Sequence, residues 1–427
     1  MSRRYYERLD EQLLNRTLPN GLRVMVVPKP AFSRKCAYFV TDFGAVHRRF
    51  RLDGREYSTP AGVAHFLEHK LFDLPGRDVS AEFAAMGASV NAFTSYDLTA
   101  YYFSCTENFE PSLRLLLEFV STPYFTRESV EKEQGIIDQE IAMSADEPGS
   151  RVYENLMGAM YRRHPIRTPI LGTSASIRRI SPGLLHTCHR AFYAPENMLL
   201  CVVGDVDGEQ VCQIARQVLG DERRPAAEKL PFPEEKLTCP RSYTGEAMDI
   251  PMRTFCIGFK CPPTQPGVAG IRQEIVGDLA CEVLFGESSA LYLQLYEQGL
   301  IDSSFGGGFE VSDGCAMITC GGDGDDPGTV RDALLAHRAR LLREGLPDSQ
   351  LQRLLRSALG RRIRDLDSFS STCFRLCAYR CSDFDYFDFP AIYESVTTGD
   401  ILRFLEKNIR RENCAISVID PIQEATI

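Results

Sequence analysis

Two imidazoles four residues apart, with a carboxylate immediately before the second, occur at His65-Phe66-Leu67-Glu68-His69. On a helix, His65 and His69 lie one turn apart on one face, and Glu68, three residues from His65, joins them there. The order H-x-x-E-H inverts the H-E-x-x-H arrangement of zinc-binding helices and supplies a metal site with its own general base. Two histidines and a glutamate on one face of an otherwise apolar helix need a ligand or partner, because burying unpaired polar groups is costly.

Catalytic zinc takes three protein donors and leaves the fourth position open, so the two histidines require a third ligand. Glu128 to Met143 reads as a helix that begins after Thr126, with Val130, Ile136, Ile137 and Ile141 as its apolar set. Within it Glu133 and Glu140 are seven residues apart, two turns along one face, so one can ligate while the other supports it. Spacing alone leaves open which does which, and an exposed helical glutamate is the plain alternative for either.

The scaffold that must hold these helices reads as two copies of one unit. Asn197-Met198-Leu199-Leu200-Cys201-Val202-Val203-Gly204-Asp205 closes the first half and Asn413-Cys414-Ala415-Ile416-Ser417-Val418-Ile419-Asp420 the second, both Asn-led buried strands. Earlier in each half a helix runs into Gly and then a strand pair: Phe83 to Gly87, Val90 and Tyr101 to Cys105; Leu295 to Gly299, Phe305 and Met317 to Cys320. Residues 221–240, rich in proline and charge, read as a linker between a domain over 1–220 and a homologous one over 241–427. The turn Pro19-Asn20-Gly21 followed by the strand Leu22–Val27 favours antiparallel pairing over β-α-β alternation. The expected class is α+β: two homologous α/β-sandwich units, each an antiparallel-rich sheet with helices on one face. Six of the seven histidines precede residue 190 and the second half holds only His337, so the metal helix belongs to the first copy.

Composition narrows the partners. With 44% hydrophobic and 25% charged residues the chain is an ordinary globular one, and a net charge of -10 argues against nucleic acid. No membrane-length apolar run and no secretory signal over Met1 to Asn15 are visible, so a cytoplasmic location is expected. Fifteen cysteines without a C-x-x-C pair suggest reduced thiols, and Cys373, Cys377 and Cys381 read as a buried helical stripe. Arg361-Arg362-Ile363-Arg364 reads as a solvated helix face, and Gly306-Gly307-Gly308 as a flexible or bulged strand rather than a phosphate loop.

The motif, with Gly62 before it and Glu133 and Glu140 some seventy residues on, resembles the pitrilysin and insulinase family of inverzincins, which includes the mitochondrial processing peptidase. Asn20-Gly21-Leu22, Val90 to Thr94, His164-Pro165, Leu171-Gly172-Thr173, Tyr193 to Met198 and Val203-Gly204-Asp205 extend the resemblance across the first half; the second half is weaker. The resemblance implies a zinc endopeptidase with one Zn2+ per chain, His65, His69 and Glu140 as ligands, Glu133 as the supporting carboxylate and Glu68 as the base. It also implies that Asn91, Ala92, Phe93 and Thr94 form an edge strand beside the metal that pairs with a peptide substrate.

Family members carry an Arg and a Tyr in the unit facing the zinc. Here Tyr296 stands where the Arg is expected and Asp302 near the Tyr. Since the family resemblance implies dimers whose zinc domain faces the partner's second domain, the expected forms are a homodimer or a heterodimer with a motif-less paralogue. The alternative function is a non-catalytic or partner-dependent subunit, possibly dedicated to one peptide.

Overall fold

The computed structural model describes residues 1–422. The chain forms β1 (Ser2–Tyr6), β2 (Glu11–Thr17), β3 (Arg23–Pro28), β4 (Lys35–Thr41), α1 (Val63–Leu71), β5 (Ser89–Thr94), β6 (Thr99–Cys105), α2 (Phe109–Ser121), α3 (Arg127–Ala145), α4 (Pro148–Met160), α5 (Pro182–Phe192) and β7 (Met198–Gly204). It continues as α6 (Gly208–Leu219), β8 (Tyr243–Met248), β9 (Thr254–Cys261), α7 (Val268–Phe285), α8 (Ala290–Glu297), β10 (Gly306–Ser312), β11 (Cys315–Asp323), α9 (Pro327–Glu344), α10 (Asp348–Arg364), α11 (Phe369–Cys381), α12 (Thr398–Asn408) and β12 (Cys414–Pro421). Shorter elements connect these.

The chain divides into two compact units. The first comprises Met1–Ile141, Pro169–Pro231 and Arg361–Phe389; the second comprises Ala142–Thr168, Phe232–Gly360 and the chain from Pro390 on. Segments 142–168 and 361–389 therefore lie across the 221–240 boundary suggested by composition.

In the first unit the sheet order is β1-β2-β3-β7-β4-β6-β5, and in the second it is β8-β12-β9-β11-β10. The last five strands of the first, β3-β7-β4-β6-β5, repeat the order of the second, with one parallel pair at the same place, β3 with β7 and β8 with β12. The Asn-led strands give this duplication an atomic signature. Asn197 Nδ2 donates to the carbonyl of Phe192, five residues back at the end of α5, at 2.9 Å, and to that of Asp42 just past β4 at 3.4 Å. Asn413 Nδ2 does the same to Asn408, five residues back, and to Lys260 in β9, both at 2.7 Å. Each amide satisfies carbonyls left over at a helix end and a strand end, which explains why Asn opens both strands.

Both faces of the central strands are buried, so they read as continuous apolar runs instead of alternating ones. On one face of the first sheet Val24, Val26, Ala37, Phe39, Tyr101, Phe103, Leu200 and Val202 pack with side chains of α1, α2, α5 and α6. This is the expected helical layer. The other face carries one further helix, α11: Tyr38 meets Ser370 Oγ at 2.6 Å, and Cys373 Sγ points to the carbonyls of Cys36 and Cys201, 3.7 Å from each. Of the expected thiol stripe Cys373 and Cys377 are fully buried there, whereas Cys381 at the end of α11 is only half-buried. In the second unit α4 plays the corresponding part: Lys260 Nζ reaches the Met160 carbonyl at 3.1 Å, and Tyr161, just past the helix, donates to the Ala316 carbonyl at 3.1 Å. Each sheet thus takes a covering helix from the other half of the sequence.

Two expectations change. Arg362 is buried rather than solvated, with its guanidinium 5.7 Å from the Tyr379 ring and a hydrogen bond to the Tyr379 hydroxyl at 3.1 Å; the flanking Arg361 and Arg364 are exposed. Aromatic faces accept a guanidinium more readily than an ammonium, because it is planar and weakly hydrated. Gly306, Gly307 and Gly308 pair one-for-one with Gly321, Cys320 and Thr319, so the strand has no bulge. Among the described residues no helix is long and apolar enough to cross a membrane.

Candidate metal centre

α1 starts at a crossing of two backbone segments. Gly62 precedes it with φ of 88°, and a Cβ there would lie 2.5 Å from the Leu171 carbonyl oxygen; Gly172, at φ 78°, approaches the Ala61 carbonyl as closely from the other side. Only glycine combines that left-handed conformation with so close a contact. Ser176 Oγ closes the crossing with a bond to the Ala61 carbonyl at 2.9 Å. From this anchor α1 runs buried on almost every side, including His65, Glu68 and Lys70.

His65, His69 and Glu140 each present a donor atom within 4.8 Å of the others. His65 Nε2 lies 3.5 Å from Glu140 Oε1, and His69 Nε2 lies 3.7 Å from Glu140 Oε2. These separations are too long for good hydrogen bonds. They are close to the ~3.3 Å between neighbouring donors that tetrahedral bonds of zinc length to nitrogen and oxygen require. Glu133 faces the other side of His69, its Oε1 3.0 Å from Nδ1. With Nδ1–H donating to that carboxylate, Nε2 is left as the lone-pair atom toward Glu140. His65 Nδ1, by contrast, is buried without a hydrogen-bond partner.

The electrostatics match a cation site. Burial, helped by neighbouring His69, pushes His65 down to about 3, so its imidazole is neutral and free to donate a lone pair. For His69 burial acts downward, but the Glu133 hydrogen bond and the charges of Glu133, Glu68 and Glu140 outweigh it and raise its pKa. Burial raises Glu68 against the opposing bond from Thr94, Oγ1 to Oε2 at 2.7 Å. Lys70 Nζ lies 2.5 Å from Asp73 and 3.9 Å from Glu133, so it serves two carboxylates. The donors fit zinc in type and spacing.

β5 lies at the sheet edge and among the described residues pairs only with β6. Thr94 at its end is the residue bonded to Glu68. Asn91 is exposed and its side chain accepts from the Ala92 amide at 2.8 Å; Ala92, Phe93 and Thr94 are half-buried, with Phe93 edge-on to Phe374 at 5.5 Å. One rim of this strand thus pairs with no other strand among the described residues. Tyr296 and Asp302 lie in the second unit. Tyr296 is 52% exposed and stacks on Tyr292, while Asp302 Oδ1 accepts from the Ser304 amide at 2.8 Å, capping a turn.

Sequence reasoning passed over Thr94 as the partner of Glu68, and Lys70. A lysine directly after His69 and before Leu71-Phe72, within the motif helix, was the available signal for the second.

A fold of two repeated sandwich units, one bearing an H-x-x-E-H helix with a carboxylate from a second helix, defines a class of metallopeptidase-like proteins. The family model for insulinase, peptidase family M16, matches residues 54–174, and the model for the peptidase M16 inactive domain matches 179–358. The "Uncharacterized zinc protease YmfH" of Bacillus subtilis is 35% identical over 425 residues, 97% of this chain and 98% of the relative. The chain therefore belongs to the pitrilysin/insulinase family. A crystal structure described as M16-like peptidase from Alicyclobacillus acidocaldarius superposes with a TM-score of 0.92 at 34% identity, covering 96% of this chain and 99% of that one. A protease structure from Helicobacter pylori, at 18% identity with 96% and 100% covered, shares the fold with a TM-score of 0.81.

Proposed function

We propose that the chain is a zinc-dependent endopeptidase acting on peptides or short unfolded segments, with one Zn2+ held by His65, His69 and Glu140. The observation that carries this reading is the convergence of two imidazole Nε2 atoms and the Glu140 carboxylate beside a buried carboxylate on the same helix. When bound, zinc supplies a Lewis acid that makes a water acidic near neutral pH and polarises a carbonyl.

The chain's own groups do the rest. Glu68 takes the proton of the attacking water and hands it to the leaving amine; its burial, which raises its proton affinity, suits it to both transfers. Thr94 fixes one oxygen of Glu68 and leaves the other for the water. Glu133 orients His69 through Nδ1. The free rim of β5, from Asn91 to Thr94, adds an extended peptide as one more strand, which favours unfolded substrates over folded ones.

Tyr296 and Asp302 support a second element of the reading. Neither side chain can supply a cation to the charge that develops on a scissile carbonyl. The chain then works with a second chain whose corresponding unit provides it, a motif-less paralogue in a heterodimer. The same two residues favour the rival reading of a zinc-holding subunit without turnover of its own.

Zinc stoichiometry and hydrolysis of a mixed quenched-peptide library, for wild type and Glu68→Gln each alone, test these readings. Stoichiometric zinc in both, with cleavage by wild type that falls about 100-fold or more in the variant, is the outcome for a self-sufficient peptidase. Zinc without cleavage in either selects the partner-dependent form, and absence of zinc from wild type sinks the reading.

A further inference from the structure

We infer that Lys70 is a positioning residue for the metal centre: its buried ammonium holds Glu133 and the first turns of α3 in place against the imidazole of His69. The inference rests on the zinc reading above and names a residue outside the ligand set.

A lysine is among the residues least often buried, and its stem ordinarily carries the charge out to water. Lys70 is 1% exposed. Its Nζ donates to Asp73 Oδ2 at 2.5 Å and to the Ser129 carbonyl at 3.5 Å, and lies 3.9 Å from Glu133 Oε2. Ser129 and Glu133 are one turn apart at the start of α3, so the ammonium grips that helix at two points. Glu133 is thereby divided between two neighbours on α1: Oε2 faces Lys70, while Oε1 holds His69 Nδ1.

Two consequences follow from that geometry. The carboxylate that orients His69 is fixed from behind by a charge, so its rotamer is set before any ligand arrives. The axial position of α3 against α1 is fixed as well, and Glu140 lies on that helix two turns beyond Glu133. Lys70 also places a positive charge beside Glu133, the carboxylate that meets His69. Asp73 takes the outward side of the ammonium; its side chain is 47% exposed, so it anchors Lys70 from the surface without entering the centre.

The test measures zinc dissociation constants by chelator competition on the full-length chain, with unfolding of the zinc-free form followed in parallel. Lys70→Met should bind zinc about 10- to 100-fold more weakly while the zinc-free chain stays folded, and Glu133→Gln should match it. The double variant should be no weaker than the weaker single, because both changes remove one arrangement. Asp73→Asn is the structural control and should stay within about threefold of wild type. Lys70→Gln, which keeps a donor and drops the charge, stands in if Lys70→Met does not fold, with the same expected loss. Affinity within threefold of wild type in the folded Lys70 variant overturns the proposal, as does an equal loss in Asp73→Asn. Wild type without zinc overturns the reading beneath it, whereas zinc-binding wild type with an unaffected Lys70 variant overturns this proposal alone.

Discussion

The two units share a five-strand order, a parallel pair at one place and the same Asn bridge, yet they differ where a helix meets the edge strand. In the first unit α1 meets β5 through Glu68 and Thr94, a polar contact beside three donor atoms. In the second, α7 meets β10 through Gly277 and Phe309, packed so closely that a Cβ on the glycine would lie 2.3 Å from the ring. One junction gathers polar groups beside three donor atoms; the other is filled by an aromatic ring. The scaffold therefore does not make the site. A handful of side chains at one junction does, and the rest of the unit can serve either use.

The largest effect should come from removing the donor that only the first unit has. Glu140→Gln should weaken zinc binding by more than about 100-fold, beyond the loss expected from a supporting carboxylate, while the zinc-free chain unfolds as before. Chelator competition and thermal unfolding in EDTA measure the two halves of that statement; retained affinity would move the third ligand elsewhere.

Acid should affect both units alike, because each buries a neutral histidine against a backbone carbonyl. His189 Nε2 lies 3.0 Å from the Val120 carbonyl, and His164 Nε2 lies 2.9 Å from that of Asp313. Burial pushes each down to about 4 from an ordinary 6.5, the carbonyl bond opposing it only in part. As pH falls through 6.5 the unfolded chain takes up protons that the folded chain refuses until about 4. Stability is thus full above 6.5 and declines to about 4, by roughly 3 kcal/mol per histidine. Denaturant titrations of the zinc-free protein across that window should show the decline, and His189→Gln should lessen it for the first unit only, where His65, pushed down to about 3, still contributes. Equal flattening in both units would break the parallel.

The Asn bridge offers a closer match. Asn413→Ala leaves the Asn408 and Lys260 carbonyls short of a donor, and Asn197→Ala that of Asp42, Thr41 Oγ1 still reaching Phe192; each should cost about 1–3 kcal/mol, read by hydrogen exchange in the affected unit. A large effect at one site and none at the other would show that the repeat has drifted. The smallest effect belongs to the open junction itself. Thr94→Val removes one hydrogen bond to Glu68 and should lower peptide hydrolysis about tenfold with zinc content unchanged.

Much of this was legible in the residues. Five of them marked the helix that carries the donor cluster, and the Asn-led strands disclosed the duplication because leftover carbonyls call for the same amide twice. Glu133 and Glu140 could not be told apart by spacing, since both lie on one helical face; the distinction is which nitrogen of His69 each one meets. Charge was the weaker guide. Lys70 and Arg362 belong to types that normally mark solvent, and each is buried because partners receive it, Asp73 and Glu133 for the first and an aromatic cluster for the second. Nor could periodicity say that α4 and α11 would cover the sheet of the other half: an apolar stripe records that a helix is buried, not against what.

That exchange makes the halves mutually dependent. A fragment ending near residue 220 keeps its seven strands but loses α11, leaving the row of Cys36, Tyr38 and Cys201 bare, and its complement loses α4. Each fragment lacks a helix that covers its sheet, and that helix lies in the other. The chain is built like a swapped dimer whose partners were joined end to end. Duplication and fusion of such a gene could not later be undone by a simple split, whatever chemistry each copy went on to keep or lose.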